Sequence, residues 1–113
     1  MIRKCRSLIV AFNVVNLIQN DHRAEEVSAY IDSYQNCREQ GFQVVCGRTA
    51  FFIAEHRNSD SIVVYEGEPS NQSLSDHAYR NPHFFDCGKY EDAADYILKR
   101  CQELKKLEKG EKN

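Results

Sequence analysis

The chain has 113 residues, 42% of them hydrophobic and 28% charged, with a formal net charge of −2. That length allows one domain around one core, and the composition is that of an ordinary globule rather than a disordered or fibrous chain. A slightly acidic balance speaks against non-specific nucleic-acid binding, which depends on a basic surface.

No apolar run approaches the roughly 18 residues of a membrane span. The nearest, Leu8 to Ile18, is cut by Asn13 and Asn16. Arg3, Lys4 and Arg6 imitate the charged start of a signal peptide. No A-x-A-like cleavage site follows, so no export signal is expected. The five cysteines, Cys5, Cys37, Cys46, Cys87 and Cys101, are odd in number and form no C-x-x-C pair. That pattern predicts a reduced, disulfide-free protein of the cytoplasm, with each thiol a small buried hydrophobe.

In chain order, the first element is expected as an interior strand over Ser7–Val15. Leu8, Val10, Phe12 and Val14 share one face, and Ile9, Ala11 and Val15 the other; the β-branched Ile9, Val10, Val14, Val15 and Ile18 favour extended backbone. A helix is the alternative, because Arg3, Arg6, Asn13, Asn16 and Asn20 then fall on one polar stripe.

Asn20-Asp21 offers N-cap oxygens, and Glu25 and Glu26 suit the positive end of a helix dipole. Val27, Tyr30, Ile31, Tyr34 and Cys37 recur at helical spacing. These signals predict a helix over Asp21–Gln40, ended by Gly41 in a left-handed conformation with Phe42 folded back on Cys37.

The centre of the chain, Phe42 to Glu66, is rich in β-branched and aromatic residues and reads as a β-meander. Gly47-Arg48 suits a type II′ hairpin turn. The alternative is one long strand over Phe42–Glu55 with a bulge at Gly47. Thr49–Glu55 is apolar on both faces, as a central strand would be. Asn58-Ser59-Asp60 marks a turn, and Ile62–Tyr65 form the next strand.

Residues 67–89 hold both prolines and a cluster of Ser and Asn, and form a connection long enough to be functional. Gly67–Arg80 is expected to be the most mobile internal part. His83–Cys87, with Phe84 and Phe85, is expected to pack back on the body, in part as a short strand. Tyr90 opens the final helix, with Glu91, Asp92 and Asp95 at its start and Lys99, Arg100, Lys105 and Lys106 towards its end. Its buried stripe is Ala93, Ala94, Ile97, Leu98, Cys101 and Leu104, with Leu107 a further candidate. The domain is expected over residues 1–108, with 109–113 a solvated tail.

The 67–89 segment also carries the one dense polar cluster, in Asp76, His77, Tyr79, Arg80, His83, Asp86 and Cys87. Of these, Asp76, His77, Tyr79, Arg80 and His83 are the candidate binding set. His77, His83 and Cys87 are donor types for a metal, but their spacing matches no zinc signature. Cys87, His83 and Asp76 are the residue types of a thiol enzyme, yet such triads draw on separate elements. Glu66 and Glu68 read as solvated strand ends. There is no P-loop, G-x-G-x-x-G, H-E-x-x-H or G-x-S-x-G, so no cofactor, metal or catalytic residue is assigned. Six Tyr and six Phe without Trp suit a contact surface.

The expected fold is α+β, in the order β-α-β-β-β-α, with a mostly antiparallel sheet and two helices on one face. The expected function is a non-enzymatic interaction or accessory protein. It binds a protein partner, or a second copy of itself, through residues 67–89 and the adjacent sheet. The alternatives are a small-ligand or metal-binding domain and a small enzyme using Cys87 and His83.

Overall fold

A computed structural model describes residues 2–35, 40–56, 61–68, 80–86 and 88–111. Along the chain run α1 (Ile2–Gln19), α2 (His22–Glu26), β1 (Tyr30–Gln35), β2 (Gln40–Cys46), β3 (Thr49–His56), β4 (Ser61–Gly67), β5 (Arg80–Asp86) and α3 (Tyr90–Glu111). Among the described residues the strands form one antiparallel sheet in the order β1-β2-β3-β4-β5. α1 and α3 pack together over one face of it. The α+β class and an antiparallel sheet with helices on one face are as the sequence predicts, but the order among the described residues is α-α-β-β-β-β-β-α rather than β-α-β-β-β-α.

The first two elements differ from expectation. Residues 7–15 belong to a helix, not a strand. Val10, Ala11, Val14, Val15 and Ile18 are all buried, and Ile9 and Phe12 are 55% exposed. Burial therefore follows a period of 3.6, so the strand alternation, which needs Ile9 and Phe12 covered, is lost. The small helix penalty of each β-branched residue is outweighed by about 1.5–3 kcal/mol for each large apolar side chain buried.

The predicted Asp21–Gln40 helix is cut short. It begins as expected, with the Asp21 carboxylate accepting the Arg23 backbone N–H at 2.9 Å. It ends after one turn. Ser28, at φ 56°, is in the left-handed region, its N–H donates to the Glu25 carbonyl, and the Ala29 N–H donates to the Ala24 carbonyl. This is the Schellman geometry expected at Gly41. Gly41 instead lies inside β2, opposite Tyr34. Tyr30, Ile31 and Tyr34 fit a strand as well as a helix stripe, and aromatic and β-branched residues favour the strand.

The meander agrees with the sequence reading. Cys46 pairs with Thr49 across the two-residue turn Gly47-Arg48. Gly47 has φ 63°, and Arg48 is not among the positive-φ residues, as a II′ turn requires. The single long strand is excluded. Glu55 faces Ile62 in the next pair; the turn at 58–60 lies outside the described residues.

The helix face of the sheet supplies Val44, Cys46, Phe51, Ile53, Ile62 and Val64 to the main core, against Val10, Val14, Ile18, Ile97, Leu98 and Cys101. On the other face Val45, Ala50 and Phe52 form a smaller cluster with Tyr65. The Phe52 ring lies over Gly67, where a Cβ would come 3.3 Å from Cε2. No helix among the described residues packs on that face. α3 runs to Glu111, into the predicted tail, and Leu107 is exposed. No described helix is long and apolar enough to cross a membrane.

Candidate functional site

The second half of the 67–89 segment is β5, an outer strand of the described sheet. Val64 pairs with His83 and Glu66 with Arg80, so two steps along β4 match three along β5. The extra residue makes a bulge opposite Tyr65. Pro82, with no N–H to give to a ladder, fits such an irregular outer strand. Alternation along β4 turns Ile62, Val64 and Glu66 towards the helices, and Tyr96 and Arg100, four residues apart on α3, meet them there.

Glu66 is only 7% exposed. Its Oε1 accepts Arg100 Nε at 2.9 Å and the Tyr96 hydroxyl at 3.4 Å, and Arg100 Nη1 reaches Glu103 at 3.3 Å. The hydrogen bond to Glu66 raises the Arg100 pKa above its ordinary value. Burial first, and then the Glu66 charge, raises that of Tyr96. The phenol is thus held neutral as a donor, and the carboxylate is held by a fixed cation. His83 stacks on the Tyr96 ring at 4.2 Å and 26°, and Phe85 tilts against it at 5.7 Å.

Of the candidate binding residues, Asp76, His77 and Tyr79 lie outside the described residues, as does Cys87. Arg80 opens β5 with its Cα opposite Glu66. His83 is exposed at its edge and stacked on its face. The structure brings Arg80 and His83 to the same β4–β5 ladder, beside α3. Among the described residues no group of three or more His, Cys, Asp or Glu converges to hold a metal.

Two readings change. Glu66 is a buried member of the helix–sheet junction rather than a solvated strand end, whereas Glu68 is exposed as expected. Phe84 and Phe85 do not share the anchoring role. Phe85 packs against the core and Tyr96, and Phe84 points the other way, 57% exposed. Strand alternation forbids both from being buried under the same helices. The sequence pattern does not single out Tyr96 and Arg100 as site residues. The available signal was Glu66 continuing the inward register of Ile62 and Val64, which demands a cation from the facing helix.

The arrangement can fix α3 on the sheet and present the His83 imidazole beside the start of β5. Among the described residues, Glu66 and Glu103 at this junction both pair with Arg100. The chain matches no protein-family model, no curated protein and no solved structure.

Proposed function

We propose that the chain is a non-enzymatic interaction or accessory protein of the cytoplasm, binding a protein partner through residues 67–89 and the adjacent sheet surface. The observation that carries this reading is the exposure of Phe84. It sits on β5 at one side of the second sheet face, whose central Val45, Ala50, Phe52 and Val63 are buried, and Tyr30, on β1 at the other side, is equally exposed at 57%. Aromatic side chains at the edge of a sheet face are the kind of anchor that partner binding uses.

Phe84→Asp tests it. The side chain is more than half exposed, so its thermal midpoint should stay close to that of the wild type. Affinity capture from a native lysate, with the two proteins side by side, should then lose the wild type's main partner in the variant. Identical captures would sink the reading. So would a thermal-shift screen in which a metal or metabolite stabilises the chain while nothing is captured. Sedimentation of the pure protein separates a second copy from a different partner.

A further inference from the structure

Away from that surface, Cys46 at the end of β2 and Cys101 of α3 are buried against each other in the main core. Cys46 Sγ lies 3.9 Å from the Cys101 carbonyl oxygen and 3.8 Å from that of Val27, which puts the thiol against the Cys101 backbone. The two cysteines are 55 residues apart in sequence. As small hydrophobes two cysteines fill such a site no better than Ala or Val; what the pair adds is a thiol at the end of β2 held against the residue of α3 that carries a second buried thiol. Cys46 is also followed by the exposed Gly47-Arg48 turn, so a small oxidant has a short path to it.

We propose that Cys46 and Cys101 form a redox pair, which a peroxide closes into a reversible disulfide joining β2 to α3. Cys46 reacts first. It is the thiol next to the exposed turn, whereas Cys101 is fully buried. The neighbouring Cys46 side chain and burial push the Cys101 pKa up and keep it a thiol. The Cys46 thiolate attacks one peroxide oxygen, the O–O bond breaks, and hydroxide leaves, giving a sulfenic acid at Cys46. The Cys101 sulfur then attacks the Cys46 sulfur; the S–S bond forms, the S–O bond breaks, and the Cys101 proton leaves with the oxygen as water. Two thiols are oxidised by two electrons, and one peroxide is reduced.

The test treats the full chain with hydrogen peroxide, blocks the remaining thiols with an alkylating agent, and maps the peptides by mass spectrometry. The expected product is a Cys46–Cys101 linked peptide, two hydrogens lighter than its parts. It should accumulate ahead of any link to Cys5, Cys37 or Cys87, be abolished by dithiothreitol, and raise the thermal midpoint. In Cys101→Ala, which keeps Cys46 and removes the resolving thiol, a dimedone probe should label Cys46. Cys46→Ala provides the reverse control, in which Cys101 should stay unoxidised. The proposal is overturned if peroxide leaves both thiols free, if other cysteine pairs link first, or if wild-type Cys46 is trapped as a sulfenic or sulfinic acid without the cross-link.

Discussion

Two charged clusters tie α3 to the rest of the chain, and they differ in how much water they see. Near the start of the helix, Arg23 donates to Asp21 at 2.8 Å and to Asp95 at 2.7 Å, and Lys99 reaches Asp95 at 3.2 Å. Their side chains are 23% to 68% exposed. Five residues beyond Asp95, Arg100 holds Glu66, whose side chain is 9% exposed. In the first cluster every charge that loses its partner can turn to solvent. In the second, the carboxylate is buried beside Tyr96 and Arg100 and has little recourse to water. The first cluster therefore tolerates the loss of a member, whereas the second depends on both partners.

The largest effect should come from Arg100→Met, which keeps the apolar stem and removes the charge. It leaves Glu66 buried without its cation, at a cost of about 3 kcal/mol. For a domain of this size that lowers the thermal midpoint by roughly 10 °C. Glu66→Met in the same chain should recover most of the loss, because the buried charge goes as well. A single variant that melts with the wild type would place Glu66 on the tolerant side of the comparison.

The same contrast explains which parts of the molecule could be read from the sequence. β2, β3 and β4 were legible because their period of two, the Gly47-Arg48 turn and the polar break at 58–60 agree with one another. α3 was legible for the same reason, its apolar stripe and charge gradient pointing one way. α1 was not, since a run such as IVAFNVV satisfies both periods, and the facing core decides between them. β1 was hidden because Val27, Tyr30, Ile31 and Tyr34 also fit a helix stripe, and because Ser28, rather than a glycine, takes the left-handed position. At the site, Arg80 and His83 were in view. The Glu66–Arg100–Tyr96 junction was not, because pairing between residues 30 or more apart requires the register of β4 against α3.

Asp21 tests the tolerant cluster at its most connected member. It caps α2 through the Arg23 N–H and holds the Arg23 side chain. Asp21→Ala should cost about 1 kcal/mol, the usual worth of an N-cap, and Asp21→Asn less. The hydrogen bonds from Arg23 bring the Asp21 pKa from 3.8 to about 2. A carboxyl depressed in the folded state favours folding while the unfolded form would bind more protons. Its contribution is thus present above about pH 4 and fades as the pH falls through about 2. Thermal midpoints of the wild type and Asp21→Asn should differ by a constant amount from pH 5 to 7 and converge between pH 4 and 2. A gap that persists below pH 2 would assign the difference to the cap rather than the charge.

Lys99→Ala should give the smallest change. Lys99 follows Asp95 by four residues on α3, the acid-first order that suits the helix dipole, and such pairs contribute about 0.3–0.5 kcal/mol. Arg23 remains on Asp95 when Lys99 is gone, so the carboxylate keeps a partner. A double-mutant cycle of Lys99→Ala with Asp95→Asn measures the pair directly. The coupling should stay under about 0.5 kcal/mol and shrink further in 1 M salt, where the screening length is about 3 Å. The Glu66–Arg100 coupling, shielded from ions by burial, should change little under the same salt. Equal salt dependence at both clusters would mean that Glu66 is solvated, and the distinction between them would fall.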